Sequence, residues 1–405
     1  MLKRLLMMTL ALCMFLSGTL AEDIPLPDEY LVVDEEDEIL TADESAAAPS
    51  GLNPELDATL HRLFAQNNTT GAVVVVARGD RILYHYDYGL ADKQEKKPVT
   101  PQTYFKTASV TKMISGIRVM QLVEEGKLDL DTPIDEYLGY PVKHPRYQNT
   151  PITIRMLMSH TSSIGGHYYA GSTLKTQLRN ADWLSRRPGY YYRYSNFGAG
   201  ILGSLMEIAS GKDLNTCVDE GLFQPMGVDA AYRVWLLDQP DDAAMRYNEE
   251  GKAARKRNFY ITEPYDPNAG AEKHYDLVVG DIWIRGDDLC RIGMMMCQGG
   301  TLDGVTILRP ETIAEMTSSQ QGKGGVTADS PYGLCVHRAA DLLPDRMVYG
   351  HQGRSDGVLC NLYWEPESGF VFALITNGCQ IKLKNYICRL SRNAFAAAWA
   401  YYGQP

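Results

Sequence analysis

The sequence predicts an α/β (α+β) protein in which helices flank an antiparallel sheet and a mostly helical subdomain is inserted. Three observations lead to this prediction. A strand-like hairpin follows residue 70, helical segments and turns dominate residues 127–279, and strand-like segments return after Gly280, before a closing helix. A sheet contributed by both ends of the chain accounts for this order. We therefore expect a sheet domain of residues 51–126 plus 280–405 and an inserted subdomain of residues 127–279.

The first 50 residues have the features of an exported precursor. Residues 1–21 combine Lys3 and Arg4 with an apolar run and small residues before Glu22, as in a cleavable signal peptide. The apolar run is short for a transmembrane span, and an uncleaved anchor is the alternative. Residues 22–50 are acidic and contain prolines, so we expect a disordered spacer. This interpretation predicts a secreted or cell-envelope protein with no stable membrane span after signal cleavage.

The net charge of −11 is concentrated in that spacer. Residues 22–50 hold eleven acidic residues and no Lys or Arg, so residues 51–405 are close to neutral. The basic cluster at residues 252–257 is short and lacks interleaved aromatic residues, so we expect no nucleic-acid partner.

Hydrophobic periodicity predicts the individual elements. One face of a helix over residues 52–66 is apolar, and the β-branched run at residues 71–78 leads into a returning strand. In that strand Ile82 and every second residue up to Tyr88 are expected on one face. Further helices are predicted at 152–158, 199–209, 287–298, 310–317 and 385–401, and further strands at 332–338, 358–364 and 370–377.

Residues 105–120 carry the first chemical signal. A small, polar entry leads into an apolar helical pattern that is predicted to end near Gly126. Ser109 lies in the first turn and Lys112 lies three residues further on, so both share a helix face. A hydroxyl and an amine at this spacing are a candidate nucleophile and base. Because Ser-x-x-Lys recurs at Ser172 without an apolar helix, the motif alone is weak.

Two further motifs follow along the chain. Tyr194-Ser-Asn196 directly precedes an apolar helix, and His351-Gln-Gly353 occurs once, between strand-like residues. Each motif means little alone, and Ser109 as an ordinary helix N-cap is the competing interpretation. The order and the context of the motifs must decide.

In this order the motifs resemble the serine β-lactamase and penicillin-binding-protein family. The closest branch contains class C β-lactamases, D-alanyl-D-alanine carboxypeptidases and β-lactamase-like esterases. The resemblance covers nearly all of residues 55–400 and implies a β-lactamase/transpeptidase-like fold. The matching blocks are Phe105–Lys112, Gly126–Pro133, Ile152–Thr161, Pro188–Asn196, Gly299–Leu308 and Gly350–Gly353 with Gly357.

The resemblance implies roles in catalysis for three residues. Ser109 would be the nucleophile and Lys112 its main base, because a desolvated lysine can be neutral enough to accept a proton. Tyr194 would pass a proton to the leaving group.

The resemblance also implies a substrate-binding set. Asn196 would hydrogen-bond the acyl amide, and His351 and Gly353 would lie in the inner-strand triplet that a lactamase usually fills with Lys-Thr-Gly. The backbone N–H groups of Ser109 and Arg354 would form the oxyanion hole.

Three residues depart from the family pattern. Ser163 replaces a usual glycine, Asp281 replaces the second glycine of a common pair and brings a carboxylate near the cleft edge, and Arg354 replaces a smaller residue. These departures affect the expected specificity more than the catalytic atoms.

Seven cysteines follow residue 21 without C-x-x-C spacing. This pattern supports neither a zinc site nor a complete disulfide framework, so most are expected to be buried small residues, with one or two disulfides left open. No His-Glu-x-x-His, Walker or dinucleotide motif is present, so we expect no metal and no cofactor.

The expected function is that of an exported serine hydrolase that works through an acyl-enzyme on Ser109. A D,D-peptidase or carboxypeptidase and an esterase both fit, with a small molecule or a peptide, such as one derived from peptidoglycan, as substrate. A class C-like β-lactamase and a catalytically silent protein that binds envelope peptides are the alternatives.

Overall fold

The computed structural model of the 405-residue chain describes residues 53–167, 171–255, 259, 262–384 and 386–403. The predicted signal peptide and acidic spacer lie outside the described residues. Within these ranges, no helix has the length and apolar character needed to cross a membrane.

The strands of the described chain form one large sheet and three small ones. In chain order they are β1 (Gly71–Arg78), β2 (Arg81–Asp92), β3 (Lys97–Pro98), β4 (Tyr104–Lys106), β5 (Ala230–Ala231), β6 (Trp283–Arg285), β7 (Thr301–Leu302), β8 (Val305–Thr306), β9 (His337–Leu343), β10 (Arg346–Ser355), β11 (Val358–Glu365), β12 (Phe370–Thr376), β13 (Leu383–Lys384) and β14 (Ile387–Cys388).

The α-helices that fall within the described ranges surround the large sheet. In chain order they are α1 (Pro54–Gln66), α2 (Val110–Glu124), α3 (Ile134–Leu138), α4 (Ile154–Met158), α5 (Leu174–Arg179), α6 (Asn196–Ser210), α7 (Leu214–Val218), α8 (Gln224–Met226), α9 (Gly286–Cys297), α10 (Pro310–Thr317) and α11 (Arg389–Tyr402).

The large sheet is antiparallel and has seven strands in the order β3-β2-β1-β12-β11-β10-β9. Its centre joins the two ends of the chain, because β1 pairs with β12 from Ala72 opposite Thr376 to Arg78 opposite Phe370. The fold class predicted from the sequence is therefore confirmed. The domain boundaries near residues 126 and 280 stay predictions.

The two faces of the sheet carry different layers, since alternate residues of a strand point to opposite sides. On one face Val74 and Val76 pack with Phe64 of α1 and Phe395 of α11. On the other face Val75 packs in the larger core with α2, α6 and α9. We call these the back face and the front face. Helix α2 is buried almost along its whole length on the front face.

The predicted C-terminal ends of two helices agree closely with the structure. Helix α6 ends before Gly211, which has φ of 70°, but it begins after Ser195 rather than at residue 199, because the Ser195 hydroxyl accepts a hydrogen bond from the N–H of Gly198 at 2.8 Å and caps the helix there. Helix α2 ends just before Gly126, where φ is 69°. Glycine accepts this left-handed conformation without a Cβ clash.

One predicted strand face is wrong at Ile82. The pairing of β1 with β2 shifts between Val76 and Ala77, so that Val76 lies opposite Tyr84 and Ala77 lies opposite Ile82. This bulge turns Ile82 away from the face of Tyr84, and 37% of Ile82 stays exposed.

Two predicted elements start too early. The strand expected at residues 332–338 begins only at His337, because Cys335 adopts a left-handed φ of 57° that interrupts an extended chain. The helix expected from residue 385 begins at Arg389, because Ile387–Cys388 pairs with Leu383–Lys384 as a short hairpin.

The seven cysteines of the described chain are free thiols, and six of them are buried. They pack as small apolar side chains, as the sequence predicts.

Candidate active site

Ser109 lies at the sharp junction between β4 and α2. The preceding residue, Ala108, has a left-handed φ of 44°, which is uncommon for a residue with a Cβ. The Ser109 hydroxyl makes no helix-capping hydrogen bond. Instead it accepts a hydrogen bond from Nζ of Lys112 at 2.9 Å. This contact favours the nucleophile interpretation over the N-cap interpretation.

Lys112 is completely buried beneath Ser109. Its Nζ also donates a hydrogen bond to the carbonyl oxygen of Val279 at 2.6 Å. Burial lowers the pKa of the amine to about 7, although the negative charge of Asp281 acts in the opposite direction. A substantial neutral fraction is therefore available near neutral pH, as a general base requires.

Tyr194 completes a contact among three side chains. Its phenol group shares a hydrogen bond with Ser109, and Nζ of Lys112 lies 5.3 Å from the centre of its ring. Burial raises the pKa of Tyr194 well above its usual range, so the phenol keeps its proton. The structure thus brings Ser109, Lys112 and Tyr194 together.

Strand β10 forms the wall opposite the nucleophile. A methyl group built on Gly353 would lie 3.0 Å from the backbone nitrogen of Val110, and closer still to Ser109. In the described chain β9 pairs with β10 no further than Gly350. The edge of β10 from His351 onward is consequently not covered by β9 and lies beside the start of α2.

His351 is buried on the front face of β10, opposite Leu362 of β11. Its Nδ1–H donates a hydrogen bond to the carbonyl oxygen of Gln352 at 2.7 Å, which leaves Nε2 as the acceptor nitrogen. Nε2 is buried and has no hydrogen-bond partner among the described residues. Burial, and then the nearby Lys112, lower the pKa of His351 well below its usual range, so the ring is uncharged at neutral pH.

Asn196 and Arg354 differ in their surroundings. Asn196 is the first residue of α6, and its Oδ1 is buried without a partner in the described chain, so it is free to accept a substrate N–H. Arg354 is exposed, yet its guanidinium is near enough to Tyr194 to act against the rise in the tyrosine pKa.

Comparison with known proteins decides the family. The Beta-lactamase family profile matches residues 56–381. The chain belongs to the β-lactamase family. Members of this family include serine hydrolases, and the fold and the enzyme class expected from the motifs are confirmed.

The relatives of this β-lactamase-family protein include proteins named as an esterase, a penicillin-binding protein and a β-lactamase. Esterase EstB from Burkholderia gladioli is 34% identical over 383 residues, which cover 79% of this chain and 93% of the esterase. Penicillin-binding protein 4 from Amycolatopsis lactamdurans is 29% identical over 338 residues, which cover 78% of this chain and 83% of the relative. A class C β-lactamase structure superimposes with a TM-score of 0.68 at 18% identity, over 88% of this chain and 98% of the other.

The sequence missed two parts of the site in this β-lactamase-family protein. One is the carbonyl oxygen of Val279, since every residue has a carbonyl and no side-chain pattern marks this one. The other is an aromatic wall: Tyr192 stacks on Tyr332 at 5.9 Å between ring centres, and Tyr332 lies 5.5 Å from His351. The misplaced strand at residues 332–338 hid Tyr332, although the tyrosine run that ends at Tyr194 was a usable signal.

His160 lies behind Tyr194, with 4.3 Å between the ring centres. Its Nδ1 accepts a hydrogen bond from the backbone N–H of Ser195 at 3.3 Å, and burial lowers its pKa to about 3. These contacts give His160 a structural role behind Tyr194.

The structure shows the surroundings of two residues that depart from the family pattern, Ser163 and Asp281. Ser163 has a left-handed φ of 61°, the conformation for which a glycine is suited. The carboxylate expected at the cleft edge, Asp281, is held in ion pairs with Lys106 and Arg233. The described residues contain no group of three or more His, Cys, Asp or Glu that could hold a metal ion.

Proposed function

We propose that this serine hydrolase is an esterase in which Ser109 forms the acyl-enzyme. Neutral Lys112 takes the proton of Ser109 as Oγ attacks the acyl carbonyl carbon. The backbone N–H groups of Ser109 and Arg354 stabilise the resulting oxyanion. Tyr194 then delivers a proton to the departing alkoxide, and water hydrolyses the acyl-enzyme by the reverse proton transfers.

The observation that carries this proposal is the uncharged, buried His351. The resembled lactamase triplet has a lysine there, and a β-lactam or a peptide with a free C-terminus brings a carboxylate to the site. A neutral imidazole with a free acceptor nitrogen offers such a carboxylate no positive charge. An ester without a carboxylate needs no positive charge at the position of His351. The similarity to Esterase EstB also supports an esterase.

The test compares p-nitrophenyl butyrate, nitrocefin and a D-Ala-D-Ala peptide as substrates of the wild type and of Ser109→Ala. We expect the ester to be hydrolysed fastest, and we expect Ser109→Ala to lose that activity. Ser172→Ala removes the serine of the second Ser-x-x-Lys copy and is the matched control, which should keep wild-type rates. Equal ester hydrolysis by wild type and Ser109→Ala would show that another group is the nucleophile.

A D,D-peptidase is the second candidate, and Arg354 is the observation that favours it. An exposed guanidinium close to Tyr194 can bind a terminal carboxylate through two parallel hydrogen bonds. If this candidate is right, Arg354→Ala should slow hydrolysis of a D-Ala-D-Ala peptide but leave an ester unaffected. Faster turnover of nitrocefin than of both other substrates would instead favour the class C-like β-lactamase. Peptide binding with no acyl adduct would favour the silent binding protein.

We further propose that the protein is exported, because residues 1–21 have the composition of a signal peptide. N-terminal sequencing of the protein from the producing cells tests this. A mature chain that starts near Glu22 supports cleavage, whereas an intact Met1 in the cytosolic fraction contradicts export.

A further inference from the structure

A short segment crosses the start of α2 and touches the catalytic helix at several points. We call residues 279–282 the strap. Its first residue, Val279, accepts the hydrogen bond from Lys112 at 2.6 Å. Its last residue, Ile282, accepts a hydrogen bond from the backbone N–H of Thr107 at 2.9 Å and donates one to Oγ1 of Thr111 at 3.2 Å.

The middle of the strap also lies against the helix. A methyl group built on Gly280 would lie 3.3 Å from the backbone of Ala108, so the strap and the segment before Ser109 are in close contact. The strap therefore contacts residues that precede Ser109 in the sequence and residues that follow it. Any displacement of the strap moves the carbonyl oxygen that holds Lys112.

Asp281 fixes the strap from the other side. Its Oδ1 lies 2.5 Å from Nζ of Lys106, and its Oδ2 lies 2.8 Å from Nη1 of Arg233. Lys106 ends β4, three residues before Ser109, and Arg233 follows β5. Because all three side chains are mostly buried, these ion pairs are screened less by solvent than surface pairs.

We propose that Asp281 is a positioning residue for Lys112. Through the strap, its two ion pairs hold the Val279 carbonyl oxygen where it keeps Nζ of Lys112 directed at Ser109. This inference rests on the proposed role of Lys112 as the base.

The charge of Asp281 also acts on the pKa of Lys112. The titratable groups whose fields act on Lys112, or on which Lys112 acts, are Cys335, Asp281, His160 and His351, with Tyr194 in contact. The thiol, the imidazoles and the phenol are uncharged at neutral pH, because burial shifts each pKa toward the neutral form.

Asp281 stays ionised, since Lys106 and Arg233 lower its pKa more than burial and the nearby Asp276 raise it. Its negative charge raises the pKa of Lys112 against burial. Asp281 therefore both places the amine and limits the fall of its pKa.

The experiment compares Asp281→Asn with Lys106→Gln. Asp281→Asn breaks both ion pairs that fix the strap and should slow acylation of Ser109 by about 10- to 100-fold, whereas Lys106→Gln leaves the pair with Arg233 and should slow it less. Only Asp281→Asn should change the pH dependence. It removes the negative charge that raises the pKa of Lys112 and moves the rising limb of the acylation rate to lower pH, whereas Lys106, which is not among the groups that act on Lys112, should leave the limb in place when it is replaced by Gln.

The readout is the rate of covalent labelling by a fluorophosphonate between pH 5 and 10, checked by intact mass. Asp281→Glu keeps the negative charge, so the pH at which its labelling rate rises should be that of the wild type. This variant also keeps the inference testable if Asp281→Asn fails to fold. Lys97→Gln breaks a distant Lys–Asp pair, with 2.7 Å between Nζ of Lys97 and Oδ1 of Asp242, and should change neither rate nor limb.

The inference is overturned if Asp281→Asn labels at the wild-type rate with the wild-type limb. It is also overturned if Asp281→Asn is slower but its rising limb stays at the wild-type pH, because a purely structural defect has that signature. If the wild-type protein is not labelled at Ser109, the proposed function itself is refuted. If the wild type is labelled but substitution of Asp281 changes neither the rate nor the pH dependence, only the inference about Asp281 is refuted.

Discussion

Gly353 of β10 lies directly against the backbone of Ser109. A methyl group at Gly353 would be 2.7 Å from the Ser109 nitrogen and 2.3 Å from the carbonyl oxygen of Thr107. Carbon atoms do not approach backbone atoms this closely without a shift of the chain. The strand and the nucleophile can keep their present spacing only because this position has no side chain.

Gly353→Ala should therefore reduce ester hydrolysis by about 100-fold or more, because the strand must move away from Ser109 and the two proposed oxyanion donors separate. Steady-state kinetics with p-nitrophenyl butyrate measure the loss. Gly166→Ala is the matched control, since its new methyl group has no neighbour closer than 3.8 Å. A fully active Gly353→Ala would contradict the close packing of β10 on Ser109.

The pH dependence of acylation should follow Lys112. Because burial lowers its pKa to about 7, the neutral base is lost below that pH and gained above it. The rate should therefore rise with pH through about 7 and then level off. Single-turnover labelling across pH 5 to 10 measures this limb. A limb above pH 9 would mean that Lys112 has the pKa of an ordinary lysine.

The burial of Lys112 should also lower the free energy of unfolding of the protein at neutral pH. The unfolded chain binds a proton at Lys112 up to the ordinary pKa of 10.5, whereas the folded chain releases it near 7. Between these two values the unfolded state binds more protons, so the free energy of unfolding rises with pH. Lys112→Met removes this cost and should stabilise the protein at pH 7 by roughly 2 kcal/mol while abolishing activity.

Urea denaturation of wild type and Lys112→Met at pH 7 and pH 10 measures the difference. The advantage of Lys112→Met should shrink at pH 10, where much of the penalty has gone. An advantage that is the same at both pH values would show that packing, not ionisation, is its cause.

Ser163 is a second site at which a substitution should stabilise the protein. Its φ of 61° is strained for a residue with a Cβ, and its buried hydroxyl has no hydrogen-bond partner among the described residues. Ser163→Gly should raise the free energy of unfolding by about 1 kcal/mol. Ser163→Ala keeps the strained φ and serves as the control, with a smaller gain expected. A lower melting temperature for Ser163→Gly would argue against strain at this residue.

The sequence was sufficient for features that depend on side-chain pattern. The apolar period of α2 and the glycine after it predicted that helix, and the Ser109–Lys112 spacing predicted a contact that the structure shows at 2.9 Å. It was insufficient where backbone geometry decides. The bulge that turns Ile82 and the left-handed Cys335 that delays β9 depend on local backbone conformations that hydrophobic periodicity does not encode.

The charge state of the site likewise needed the fold. Nothing in His351-Gln-Gly353 says that Nδ1 bonds the neighbouring carbonyl oxygen, or that burial keeps the ring neutral. Lys112 was expected to be desolvated, but the carbonyl oxygen of Val279 that holds it comes from a segment 167 residues away along the chain.

Helices α1 and α11 pack together on the back face, with the hydroxyl of Tyr401 donating to Glu55 at 3.0 Å. Ser109 and His351 belong to the front face. A bead, a carrier protein or an electrode coupled at the start of α1 or at the end of α11 would thus be attached behind the sheet. Immobilisation at either of these helix ends should orient the catalytic cleft toward the bulk solution, where incoming substrate meets no support.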